Sequence, residues 1–139
     1  MMRKKLIFLL FCTGVFLGGC TLDDDGPNFH FTALRINRAD LPQSFELNET
    51  YEVVVNYTLP NNCSLFDGFE VTQEDTTIRN VVAIGSVRTD QIGCTEETIE
   101  AQASFNFIVI HDQPYIFKFY QGENSEGEYE YLEIVVPVN

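Results

Sequence analysis

Two imidazoles, His30 and His111, are the first candidates for acid–base or metal chemistry in this chain. Either would need a nucleophile, a carboxylate or a second ligand held against it. His30 stands at the start of an aromatic, apolar segment, and His111 opens His111-Asp112-Gln113-Pro114, a run of turn formers. Both read as solvated residues at element ends. Ser86 follows a glycine in Ile84-Gly85-Ser86-Val87, but the second glycine of a nucleophile elbow is missing and its neighbours suit a strand interior. Adjacent carboxylates such as Glu96-Glu97, or Glu123 with Glu126, have the chemistry of a glycosidase pair. A chain with 21 acidic residues produces such neighbours by chance. No catalytic residues are assigned on this pattern, and a non-enzymatic protein is expected.

Oxygen ligands are more concentrated. Glu123, Asn124, Glu126 and Glu128 bring several hard donors into one short loop, the kind of supply Ca²⁺ uses. The spacing is not that of an EF-hand, and a run of Gly, Glu, Asn and Ser is equally the composition of a solvated hairpin turn. No resident metal or cofactor is assigned, and the four residues stand as a candidate ligand or Ca²⁺ loop.

The first twenty residues carry a different chemistry. Arg3, Lys4 and Lys5 precede an apolar run from Leu6 to Leu17, then two glycines and Cys20. Charged, apolar, small is the order of an export signal. As a helix the apolar run would span roughly 18 Å at about 1.5 Å per residue, against a hydrocarbon core of about 30 Å, which disfavours a transmembrane helix. Leu17-Gly18-Gly19-Cys20 resembles the lipobox of bacterial lipoproteins, where a peptidase cuts before the diacylated cysteine. The resemblance implies a signal peptide over residues 1–19 and a covalent lipid on Cys20. It also implies a membrane held as partner through that anchor. Each buried CH₂ of the acyl chains contributes about 0.8 kcal/mol, so two or three chains hold durably. Residues 20–28 then form a lipidated, acidic, turn-rich tether without apolar period. Asp23-Asp24-Asp25 resembles the surface-export signal of Bacteroidota lipoproteins, which implies an outer-membrane location and exposure on the cell surface. Asp75-Thr76-Thr77 resembles the O-glycosylation motif of the same phylum, making Thr76 a candidate modification site.

Cleavage before Cys20 would leave 139 − 19 = 120 residues with five cations and all 21 acids, a formal charge of 5 − 21 = −16. Affinity for a polyanion comes chiefly from Lys and Arg neutralising phosphates, so nucleic acid is not an expected partner. Cys12 would leave with the signal and Cys20 would take the lipid. Cys63 and Cys94 remain as an even pair in an oxidising compartment. A disulfide between them would close a loop of about 30 residues and stabilise the fold by roughly 3–4 kcal/mol on the chain-entropy model. The competing reading, a two-thiolate metal site, lacks a histidine near either cysteine in sequence.

Residues 29–139 must supply the scaffold. Seven segments show two-residue alternation or aromatic and β-branched enrichment, and none shows a helical period. They cover about 29–37, 51–58, 66–73, 78–88, 98–110, 115–121 and 129–138. In the fifth, Ala101, Ala103, Phe105, Phe107 and Val109 share one face while Gln102, Ser104 and Asn106 share the other. One buried and one wet face is the signature of an antiparallel sheet. Seven such strands in one domain predict an all-β, antiparallel, immunoglobulin-like β-sandwich. In that arrangement the second and fifth strands are neighbours, so Cys63, after the second, lies beside Cys94, before the fifth. The loop 122–128 should sit at the same end.

Leu41-Pro42-Gln43-Ser44-Phe45, Tyr57-Thr58-Leu59-Pro60-Asn61-Asn62-Cys63 and the stretch from Phe117 to Val138 resemble a group of small lipoproteins of Flavobacteriia and other Bacteroidota. The resemblance covers the whole mature chain and implies fold and envelope location but no activity. The expected role is binding or adhesion, with an envelope protein or glycan as partner. The alternative is a structural subunit of an envelope complex, contacting its neighbour through a sheet face such as Ile116, Lys118 and Tyr120. A small hydrolase would need a catalytic cluster that the sequence does not display.

Overall fold

A computed structural model describes Gly26 and residues 28–139. The predicted signal peptide over 1–19, the lipidation site Cys20 and, Gly26 apart, the tether before residue 28 lie outside the described residues. Seven strands follow one another: β1 Phe29–Asp40, β2 Thr50–Leu59, β3 Ser64–Asp75, β4 Ile78–Arg88, β5 Ile99–Ile108, β6 Tyr115–Glu123 and β7 Tyr129–Val136. Among the described residues there is no helix, so the fold described is all-β.

The alternation that predicts these strands also sets their burial. In β6, Tyr115, Phe117 and Phe119 are fully buried, with Ile116, Lys118 and Tyr120 on the other face. Val53, Val55 and Tyr57 of β2 turn inward, as do Leu132, Ile134 and Val136 of β7. Burying one such side chain contributes about 1.5–3 kcal/mol, and a one-residue slip would expose a strand's whole set, so the pattern fixes the register. Two strand ends fall short of the predicted ones for backbone reasons. β5 stops at Ile108 because Val109 pairs with the β1–β2 loop: its N–H donates to Glu49 O at 3.0 Å and its carbonyl accepts the Asn48 N–H at 2.7 Å. β7 stops at Val136 because Pro137 has no N–H to give; Val138 then forms a separate parallel bridge with Phe45.

The strands form one mixed sheet in the order β5-β2-β1-β4-β6-β7, with β3 on β4 outside this path. β1 serves two partners, Phe29–Leu34 pairing with β4 and Arg35–Asp40 with β2. Within the second half the register shifts at Asn37, whose Nδ2 donates to Thr58 Oγ1 at 2.6 Å. An irregularity of this kind bends a strand. It lets the β2–β5 wing lie over the remainder, as ring contacts between strands that share no ladder show. Phe69 of β3 lies 5.3 Å from Phe105 of β5, and Phe107 of β5 lies 5.0 Å from both Tyr115 and Phe117 of β6. The core is closed between these two layers, which fits a β-sandwich.

The expected β2–β5 pairing is present without interruption from Thr50↔Ile108 to Leu59↔Ile99. Elsewhere the pairing differs from the immunoglobulin arrangement, which would put β4 beside β5 and β3 beside β6. Here only Thr76-Thr77 separates β3 from β4, and so short a connection holds them as an antiparallel hairpin. β4 consequently takes the position next to β6, joining it in parallel over Ile78–Val81 and Ile116–Phe119. The sheet is therefore not wholly antiparallel.

Candidate interaction surface

Because β2, β4 and β6 all run antiparallel to β1 or parallel to one another, their C-terminal ends point the same way. That end gathers the loop after β2, the loop after β4 and the β6–β7 turn. Cys63 and Cys94 form a disulfide there, with Cα atoms 5.6 Å apart. Asparagines knit its flanks: Asn61 Oδ1 accepts the Cys63 N–H at 3.0 Å and the Ser64 hydroxyl at 2.7 Å, and Asn62 Oδ1 accepts the Thr95 N–H at 2.9 Å. β1 begins at the same end, where Thr89 N–H donates to Asn28 O at 2.7 Å and Arg88 N–H to Cys63 O at 3.3 Å.

A shallow open pocket of about 520 Å³ lies beside β1 here, with Phe29, Phe31, Leu65, Asp67 and Ser86 in its wall. Phe31, Ser86 and Leu65 form one cross-strand row on the outer face of the sheet. Ser86 is buried in the middle of that row. Gly85 before it serves close packing: a Cβ at this position would lie 2.8 Å from the Leu65 carbonyl oxygen and 3.0 Å from the Leu34 methyls. Arg88, also at the pocket, makes paired bonds to Asp90 at 3.2 and 3.0 Å. The bond from Arg88 holds the Asp90 carboxyl below the usual range, and Asp90 raises the guanidinium in turn.

The β6–β7 turn is held by one side chain. Asn124 Oδ1 accepts the N–H of Glu126 at 2.9 Å and of Glu128 at 3.0 Å, while its Nδ2 donates to Glu128 Oε2 at 3.3 Å. Glu123, Asn124, Glu126 and Glu128 are thus brought together, with the asparagine oxygen engaged in closing the turn. The other predicted positions are dispersed. His30 lies on β1 opposite Val87 at the disulfide end, whereas His111 lies between β5 and β6 at the opposite end. Glu96 and Glu97 are exposed in the β4–β5 loop. Thr76 sits in the β3–β4 turn, its N–H bonded to Asp75 Oδ1 at 2.7 Å.

The outer face of β4, β6 and β7 carries what strand-by-strand reading passed over. The middle of β4 is apolar on both sides, with Val81 and Ala83 in the core and Val82 and Ile84 half-buried outside, between Asn80 and Ser86. Cross-strand registers place Ile116 opposite Val135, Lys118 opposite Glu133 and Tyr120 opposite Tyr131. Tyr120 packs edge-on against Tyr129 at 5.8 Å and Tyr131 at 6.2 Å. Partial burial raises the Tyr120 hydroxyl above the ordinary phenol, and the nearby Glu123 carboxylate adds to this. Tyr129, Tyr131 and Val135 are exposed. Lys118 reaches across β4 to both oxygens of Glu74 at 3.0 Å. That bond, with one from Asn80, lowers the Glu74 carboxyl, and Glu74 raises the Lys118 ammonium.

A further feature missed in sequence is Arg79, on the core face of β4. Its Nη1 lies 3.1 Å from the carbonyl oxygens of Asp75, Thr76 and Ile78. Its guanidinium sits 5.4 Å from the Tyr115 ring centre and 6.0 Å from that of Phe107. An arginine in phase with Val81 and Ala83 was the available signal. It organises the end opposite the disulfide, where Tyr115 OH accepts the N–H groups of Ile110 and His111 at 3.2 and 3.1 Å. No family model, curated protein or solved structure matches this chain.

Proposed function

We propose that this protein is a lipid-anchored envelope lipoprotein of the outer membrane, exposed at the cell surface, whose domain is a noncatalytic binding or adhesion module. The domain is a β-sandwich of immunoglobulin-like type in its β2–β5 pairing, with β4 shifted beside β6. Location rests on the lipobox at Cys20 and the acidic run after it. Binding rests on one structural observation above the others: Val82 and Ile84 are apolar on the outward side of β4, and Tyr120, Tyr129 and Tyr131 extend that character across β6 and β7, bordered by the polar row Asn80, Lys118 and Glu133. A solvent face of an antiparallel sheet is ordinarily polar. Contiguous exposed apolar surface marks contact sites, and tyrosine supplies contact area at low entropic cost.

The partner is an envelope protein or a glycan. A photo-reactive residue in place of Tyr131, in intact cells, should yield an adduct that disappears when Tyr129→Glu is added. The same residue in place of Glu52, on the other wing, should yield none. Equal labelling at both positions, or none at either, would remove the face as the contact. The alternative, a structural subunit of an envelope complex, draws on the same apolar face. It is favoured if the purified chain retains no glycan but copurifies with the crosslinked protein in stable proportion.

A further inference from the structure

We infer that the disulfide end of the domain, through Phe29, Phe31 and Leu65, rests in the surface of the bilayer that holds Cys20, which fixes the domain's orientation. This rests on the lipoprotein reading and adds to it a second, noncovalent membrane contact.

Chain geometry brings the patch to the membrane. Eight residues, 21–28, separate Cys20 from Phe29. Nine steps at about 3.3–3.6 Å per residue reach about 30–32 Å from Cys20 to Phe29, less than the roughly 40 Å of the twelve-residue β1. β1 starts at the disulfide end, so this end faces the bilayer and the β3–β4 and β5–β6 turns face away. The patch is suited to that place. Phe29 and Phe31 meet edge to face at 5.3 Å and are 39 % and 66 % exposed, and Leu65, 59 % exposed, continues the row beyond Ser86. Ile92 in the adjoining loop is fully exposed. Phenylalanine, leucine and isoleucine are side chains that enter the boundary between headgroups and acyl chains.

Charge selects the lipid. At this end Arg88 is already paired with Asp90, and Asp67, Glu96 and Glu97 add negative charge. These carboxylates repel anionic headgroups, so the contact is carried by the apolar side chains and weakens as the surface becomes more negative.

The chain contains no tryptophan, which leaves fluorescence open to a single reporter. The acylated full chain carrying Phe31→Trp is placed in phosphatidylcholine vesicles containing lipids brominated along the acyl chain, beside Leu47→Trp in the β1–β2 loop at the opposite end. The indole at position 31 should be quenched several times more strongly than the one at position 47 and should emit at shorter wavelength. Phe29→Ser with Leu65→Ser should reduce the quenching, and replacing half the lipid by phosphatidylglycerol should weaken it. Equal, weak quenching at both positions overturns the inference. So does an indole at position 31 that is shielded from water but insensitive to bromine in a particle of doubled mass, since a second copy would then cover the patch. The mass of the N-terminal peptide separates the two levels. Acylated Cys20 with an unquenched indole in the Phe31→Trp chain removes the orientation alone, whereas unmodified Cys20 removes the anchor and the orientation together.

Discussion

Replacing Arg79 tests how the end away from the disulfide is held. Arg79 is 7 % exposed, and its guanidinium is surrounded by three carbonyl oxygens at the β3–β4 turn and the rings of Tyr115 and Phe107. Arg79→Met keeps most of the apolar stem and removes the charge. Lost are hydrogen bonds from a charged donor, about 1.5–3 kcal/mol, and two cation–π contacts of about 0.5–1 kcal/mol each at their centroid distances. Recovered is part of the cost of desolvating the cation, several kcal/mol in a fully buried site and less in a turn that water can reach. The balance is a destabilisation of about 2 kcal/mol. For a domain of this size it appears as a fall in Tm of about 8 °C. Arg79→Lys should fall in between, because an ammonium keeps the charge but loses the planar stack. Urea unfolding followed by far-ultraviolet circular dichroism measures both variants, and Tyr115→Phe in the same background should couple to neither beyond the loss of its own two accepted bonds. A Met variant as stable as the parent, or more so, would refute the reasoning, because desolvation would then outweigh everything the guanidinium gains.

Phe45, fully buried and within 4.8–6.1 Å of the rings of Tyr51, Phe107, Tyr115 and Phe117, closes the same end, so Phe45→Ala should cost about 3–5 kcal/mol in urea unfolding. The paired change Cys63→Ser with Cys94→Ser opens a loop of sequence separation 31 and should destabilise by about 3–4 kcal/mol, with a matching loss when the parent is reduced. Glu74, lowered by Lys118 and Asn80, should titrate below the ordinary glutamate range by carboxyl carbon NMR, and Lys118→Met should return it toward that range. Its depressed folded value gives a contribution to stability present above the ordinary glutamate range and lost as pH falls through the lowered one, so the variant should be less pH-dependent on the acid side. Tyr120, raised by burial and by Glu123, should ionise after free tyrosine in an ultraviolet titration, and partner binding on its face should delay it further.

Strands were legible wherever one face is buried and the other wet. β2, β5 and β6 show this plainly, and the placement of Cys63 after β2 and Cys94 before β5 follows from the pairing of those strands. Pairing beyond neighbours was less legible, because alternation says which face is inward but not which strand lies alongside. A two-residue connection at Thr76-Thr77 and an irregularity at Asn37 decide that β4, and not β3, meets β6. Turns such as 122–128 were recognisable from composition, but the dual hydrogen bonding of Asn124 that shapes this one depends on backbone geometry that composition does not encode.

The least regular strand is the most informative about function. Ile78-Arg79-Asn80-Val81-Val82-Ala83-Ile84-Gly85-Ser86-Val87 fails the polar alternation on both sides, with a cation on the core face and valine and isoleucine on the outer one. The inward exception has its explanation within the fold, since Arg79 finds carbonyls and rings in place of water. The outward exception has none there: Val82 and Ile84 are flanked by Tyr120 and the exposed Tyr131, and among the described residues no further layer covers them. A strand that is apolar on both faces is the pattern of one covered on both. Under the proposed contact its second cover comes from another molecule, and Val82→Thr, a nearly isosteric change on that half-buried position, should weaken partner binding while shifting Tm little. If Val82→Thr instead lowered Tm as much as a core truncation and left binding intact, the outer apolar residues would belong to the fold and not to a contact.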